Sequence, residues 1–331
     1  MKLSILDQSP LTSNGDYQQA LQHTLSLAKA ADQLGFHRFW VSEHHASSLL
    51  AGSAPEVLLG ALGAITEHIR LGSGGIMLPH YSSYKVAEVF SLLANLYPNR
   101  IDLGVGRAPG TDMATARALA NGRQPDFYQF PQQLKELCQR LHDKNLLPLL
   151  SPQTHTPPPV WVLGTSPDSA HLAARLGLPY NIARFINGDS GQTLIDIYRR
   201  EFQASSVLTQ PQVVITMDVI VAPTEDEALV RSLSWQVVWA QIMRGVHDIC
   251  LPSIGEAAKF AFSTQERAAL DHKIALSAIG SPDQVWQQLS ALSENLGIDE
   301  IMTVSIMQSF DQRLESCHLL AQAAGLQELT V

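Results

Sequence analysis

Cysteine is scarce in this 331-residue chain, which has only Cys138, Cys250 and Cys317. They are odd in number, widely spaced and free of Cys-x-x-Cys pairs, so neither a disulfide framework nor a thiolate metal site is expected. Charge is sparse as well: 16% of residues are charged, Lys and Arg (22) fall short of Asp and Glu (31), and the formal net charge is −9. Without a dense basic run there is no electrostatic footprint for a nucleic-acid backbone or an anionic membrane, which leaves a small-molecule partner. Long apolar runs are missing too. No stretch reaches the ~20 apolar residues of a membrane helix. The start, MKLSILDQSPL, places Asp7 where a secretory apolar region would continue. A cytoplasmic location is expected.

What the chain does have is 45% hydrophobic residues, enough to bury a large core. Short β-rich runs alternate with longer segments of helical period. Leu3 to Leu6 reads as strand one, and Leu21, Leu25, Ala28 and Leu34 line a helix over 17–34 that Gly35 stops. FHRFWVSEHH is strand two, Pro55 opens a second helix, IRLGSGGIML is strand three, and YKVAEVFSLLANLYP is a third helix ended before Pro98. RIDLGVGRAPG supplies strand four. About three and a half βα units in the first ~110 residues match the repeat of an α/β fold, the (β/α)8 TIM barrel, formed as one domain over 1–331.

The rhythm breaks between Thr111 and Pro159, an excursion after strand four that holds the helix PQQLKELCQRL. VWVLG, PYNIARF and VVITMDVIVA read as strands five to seven, and EIMTVSIM as strand eight. The stretch from Asp226 to Asp283, with the weakly ordered-looking VHDICLPSIGEA, is too long for one crossover. A helical, lid-like insertion after strand seven is expected there.

Four constellations carry chemistry. Glu43-His44-His45 ends strand two, where barrel enzymes place catalytic groups, and an imidazole with a near-neutral pKa can move a proton; from the triplet alone a solvated loop histidine or a structural ion pair is the default reading. Gly74-Gly75 marks either a close approach to the backbone or a β-bulge. Arg107, after an incomplete glycine motif that argues against a dinucleotide fold, suits a phosphate or carboxylate, or a surface ion pair. LGTSPDSAH after strand five offers a helix N-terminus and hydroxyls to an anion, and the same residues serve as ordinary caps. No Asp, Glu or His partner stands at a compelling metal-ligand spacing.

Taken together and in order, SEHH, LGSGGIMLPH, LYPNRIDLGVGRAPGTD and LGTSPDSAHLAARLGLP resemble the bacterial-luciferase-like flavin monooxygenases, and more narrowly their FMN-dependent bacterial branch. The resemblance covers nearly the whole chain and is weakest from Arg244 to Lys273. It implies FMN, reduced by a separate NAD(P)H:flavin reductase, O2 as co-substrate, oxygenation of a small organic substrate, and a homodimer paired through the helices after the early strands. It also implies site roles. His44 is the pocket histidine that manages a proton. Gly74-Gly75 is a non-proline cis peptide beside the flavin ring, with Met77 of the same motif against the cofactor. Arg107 and Arg117 bind phosphate, and Gly164, Thr165, Ser166 and Ser169 form the phosphate loop. Gly106 stands where luciferase has a reactive cysteine, which argues against light emission. A deazaflavin-dependent dehydrogenase of the same superfamily and a non-catalytic flavin-binding barrel are the alternatives. Retention of His44 and Arg107 speaks against the second.

Overall fold

The computed structural model describes residues 1–12, 16–187, 191–246 and 248–329. Nine strands are present among the described residues: β1 (Lys2–Asp7), β2 (Arg38–Val41), β3 (Arg70–Met77), β4 (Ile101–Gly106), β5 (Val160–Gly164), β6 (Tyr180–Ala183), β7 (Val213–Val221), β8 (Ala278–Gly280) and β9 (Glu300–Val304). Eight of them close a parallel ring in the order β1-β2-β3-β4-β5-β6-β7-β9, in which β9 pairs with both β7 and β1. Helices join consecutive strands around the outside, so the fold is a (β/α)8 barrel.

Period-two alternation sorts each strand into an outer and an inner face. Phe39 and Val41 of β2, Leu103 and Val105 of β4, and Ile215 and Val219 of β7 enter the large core shared with the helices. Their neighbours point into the barrel, where Leu6, Trp40, Trp161, Val214, Met302 and Val304 pack together. Beneath that layer Arg38 bridges Glu300 Oε1 at 2.8 Å and Asp102 Oδ2 at 2.6 Å, and its guanidinium lies 4.8 Å from the centre of the Trp161 ring. Trp40 Nε1 and Arg70 donate to the same Asp102 carboxylate. The amino-terminal end of the barrel is therefore plugged by paired charge and large rings. At the carboxyl end the inner positions are small: Gly74 on β3, Gly104 and Gly106 on β4, Ala183 on β6. That taper leaves room for a cavity on the face where barrels build their sites.

Three expectations need correction. A ninth strand is present: β8, only three residues long, pairs with Val219–Val221 and extends the wall above the ring. Strand six ends at Ala183, and Arg184–Asn187 form a helical turn. The insertion after β7 comprises the helices Glu225–Met243, Ile254–Ala257 and Thr264–Ala275. The stretch VHDICLPSIGEA is better anchored than its composition implied. Its His247 lies outside the described residues, yet Ile249 and Leu251 are buried against Leu49 and Val238, and the Ile249 carbonyl accepts a hydrogen bond from Ser48 Oγ at 2.9 Å. The excursion after β4 carries a further short helix, Met113–Leu119, before the helix Phe130–His142.

Candidate active site

A cavity of about 780 Å³ opens at the carboxyl end of the ring, within the size range of cofactor and ligand sites. Its floor is Leu6, Trp40, Leu163 and Met302, and the helix Glu225–Met243 roofs it with Trp235, Val238, Trp239 and Ile242.

Two successive histidines behave differently because the chain turns between them. Glu43, 1% exposed, faces inward and gathers three donors. The backbone N–H of Met77 donates to Oε2 at 2.9 Å, the Tyr81 hydroxyl donates to Oε1 at 2.7 Å, and His45 Nε2 lies 2.7 Å from Oε1. Burial and this carboxylate push the Tyr81 phenol above its ordinary range. His45 is thus tied to a structural carboxylate, and it does not line the cavity. His44 does line it, with its backbone N–H on Gly52 O at 2.8 Å and Nδ1 3.1 Å from Ser42 Oγ. Burial, with His45 adding to it, lowers His44 to about 4. Where the sequence suggested a near-neutral imidazole, burial keeps the ring uncharged at pH 7, with one N–H to donate and one nitrogen to accept a hydrogen bond.

The peptide between Gly74 and Gly75 is cis, and the β3–β4 register shifts between Gly74 and Ile76. Bulge and close approach coincide here. A Cβ on Gly75 would sit 2.5 Å from Leu163 Cδ1 and 2.8 Å from Gly104 O, so no larger residue fits. Both glycines and Met77 line the cavity.

On the far side Arg107 leaves the end of β4 with its side chain 53% exposed and only a 3.8 Å contact to Asp168. Such an exposed pair is weak, so the guanidinium can turn to a stronger anion. Gly164, Thr165, Ser166 and Ser169 border the same region at the start of the helix Pro167–Leu176, whose N-terminal amides favour negative charge. Ser169 is partly committed to the cap: its hydroxyl donates to Ser166 O at 2.6 Å and lies 2.8 Å from Tyr180 Oη. Arg117 is elsewhere. It is exposed on the helix Met113–Leu119, bonded to Gln124 Oε1 at 3.2 Å, and does not reach the cavity.

One functional group escaped the reading of the sequence. Asp218 is the lone acid in the apolar strand β7 and points into the cavity. Trp235 Nε1 donates to its Oδ1 at 3.2 Å, and Lys273 Nζ lies 3.2 Å from its Oδ2. Burial pushes Asp218 up to about 6, opposed by Lys273. An acid interrupting VVITMDVIV was the available signal.

These positions fit a flavin phosphate and ring: an arginine and a helix N-terminus at one wall, and at the other a glycine edge against Leu163 and Met77. Residues 1–300 match the luciferase-like monooxygenase family, and the chain belongs to it. It is 43% identical to the Bacillus subtilis (strain 168) protein YwcH over 98% of this chain and 99% of that one. It is 36% identical to the N-acetyl-S-alkylcysteine monooxygenase of the same organism, covering 98% of each. The crystal structure of apo-MsnO8 superposes with a TM-score of 0.90 at 35% identity over 99% of both chains. At 16% identity, the oxygenating constituent of 3,6-diketocamphane monooxygenase from Pseudomonas putida, in complex with FMN, shares the fold at a TM-score of 0.73. An F420-dependent secondary alcohol dehydrogenase, also at 16%, shares it at 0.67.

Proposed function

We propose that the protein is a cytoplasmic, single-domain, homodimeric monooxygenase that takes reduced FMN from a separate NAD(P)H:flavin reductase and uses O2 to oxygenate a small organic substrate. The observation that carries this reading is the division of one cavity into an anion-receiving wall, Arg107 with the Gly164–Ser166 turn, and an apolar chamber containing His44. FMN, when bound, supplies the redox and oxygen chemistry. The chain's share is to hold the phosphate with Arg107 and the helix N-terminus, seat the ring along Gly74-Gly75 and Met77, and exclude water under Trp235 and Trp239. His44, uncharged and held by Ser42, hydrogen-bonds the reacting groups and relays a proton between them through its two ring nitrogens.

Fluorescence titration with oxidised FMN, reduced FMN (anaerobically) and a deazaflavin tests the cofactor. Tightest binding of reduced FMN is expected, and tighter deazaflavin binding would redirect the reading to hydride transfer. O2 uptake with NADPH and a flavin reductase then tests turnover. N-acetyl-S-alkylcysteines, the substrates in the name of the 36%-identical relative, are the first to assay.

A further inference from the structure

The chamber's roof and inner wall are apolar, Leu49, Leu50, Val238, Ile242 and Ile306 among them, yet β7 places a carboxylate in it. A buried ion pair is weak support for a fold, because well-packed apolar residues of similar volume often do as well or better. The pair Asp218–Lys273 therefore calls for a use.

Its hydrogen-bonding capacity indicates which. An ammonium has three donors and no acceptor. Those of Lys273 face Asp218 Oδ2 at 3.2 Å, the Phe185 carbonyl, and the ring of Trp239, whose centre is 4.0 Å away, with Trp235 at 5.5 Å. Lys273 stands behind the cavity wall and has no donor left for a ligand. Among the described residues each oxygen of Asp218, by contrast, receives one hydrogen bond, and each can accept two. The spare capacity of the cluster is thus all acceptor, and it faces the chamber. Lysine has already balanced its charge, so nothing remains to hold a cation, and an anion would meet carboxylate oxygens.

We propose that Asp218, held in place by Lys273 and Trp235, is the specificity anchor of the substrate chamber and receives an uncharged hydroxyl or amide N–H group on the apolar part of the substrate. The assignment rests on the chamber being the substrate side of the site proposed above. Asp218 binds the ligand, and Lys273 is a positioning residue.

The test uses the full-length protein without added flavin and matched probes: 1-hexanol against methyl hexyl ether, and N-methylhexanamide against N,N-dimethylhexanamide. Binding is followed by calorimetry and by the fluorescence of the roof tryptophans. The wild type should bind the O–H or N–H member of a pair about ten-fold more tightly, the scale of a hydrogen bond to a charged acceptor. The double variant D218L/K273M, which removes both charges and strands neither, should hold the two members of a pair within about two-fold of each other by the same scale. If circular dichroism shows that it does not fold, D218N takes its place, and the preference should shrink. A wild type without preference in any pair overturns the proposal, as does a preference that survives unchanged in the folded variant. FMN is titrated separately. A protein that discriminates the probes but takes no FMN would retire the flavin reading and leave the anchor. One that takes FMN without discriminating would retire the anchor alone.

Discussion

The backbone N–H of Met77 donates to Glu43 Oε2 at 2.9 Å, which fastens the loop carrying His44 to the end of the strand carrying Gly74 and Gly75. Tyr81 and His45 close on the other carboxylate oxygen, so one side chain sets the relative position of two walls of the site. Glu43→Ala leaves three donors buried without an acceptor and should destabilise the protein by about 3 kcal/mol, with Glu43→Gln costing about 1 kcal/mol. Denaturant unfolding measures both. An alanine variant as stable as wild type would remove Glu43 from this role.

His44 has its pKa lowered to about 4, so its neutral state is favoured by folding. The stability it contributes is present above the unfolded value near 6.5 and is lost as pH falls through about 4. In NMR spectra its ring signals should titrate with a midpoint near 4, and acidification below pH 6 should destabilise the wild type more than His44→Asn. A midpoint above 6 contradicts the burial argument.

His44→Ala should leave folding and FMN affinity close to wild type and lower coupled oxygenation by about 100-fold to 10,000-fold, the contribution of general acid–base catalysis. His45→Ala should act mainly through stability, since its ring serves Glu43. Rates and thermal midpoints for the two variants separate these effects, and equal activity of His44→Ala and wild type counts against the assignment.

The two arginines named from resemblance part company in space. Arg107→Ala should weaken FMN binding by about 1 to 3 kcal/mol, the loss of a charge-assisted hydrogen bond. Arg117→Ala, whose side chain faces Gln124 in solvent, should change the dissociation constant by less than about two-fold. Equal effects would place the phosphate elsewhere.

Val57 and Ile65 on the helix Pro55–Ile65 and Leu92 and Leu96 on the helix Ser83–Leu96 are each exposed, on two helices that pack side by side. Exposed apolar side chains of this kind suit a symmetric pairing of two chains. Light scattering should give twice the chain mass at micromolar concentration, and Leu96→Glu should shift it toward one. A monomeric wild type refutes the pairing.

The barrel was legible because short β-rich runs and helical periods act locally, and of the candidate site His44 was placed just past the end of strand two, where it lines the cavity. β8 was not, since three residues, AIG, are too short to show a period. The resemblance grouped Arg117 with Arg107, whereas its side chain faces Gln124 in solvent, since a motif carries no information about which face of a seven-residue helix a side chain takes. Asp218 was passed over because its meaning depends on Trp235 and Lys273, distant in sequence and brought to it only by the folded insertion. The lowered pKa of His44 likewise comes from burial, which no run of letters displays.

The ladder between β8 and Val219–Val221 returns the chain, after the insertion, to the same strand from which it departed. Residues 222 to 277 therefore begin and end on one strut of the barrel, and their length can change without altering how the other seven strands of the ring meet. The ring supplies the socket proposed for the cofactor, and this cassette supplies the cap, with Trp235, Trp239 and Lys273 on it. Exchanging the cassette between relatives is a route to new substrate preference on an unchanged socket, provided that the donor's cap brings its own partner for Asp218.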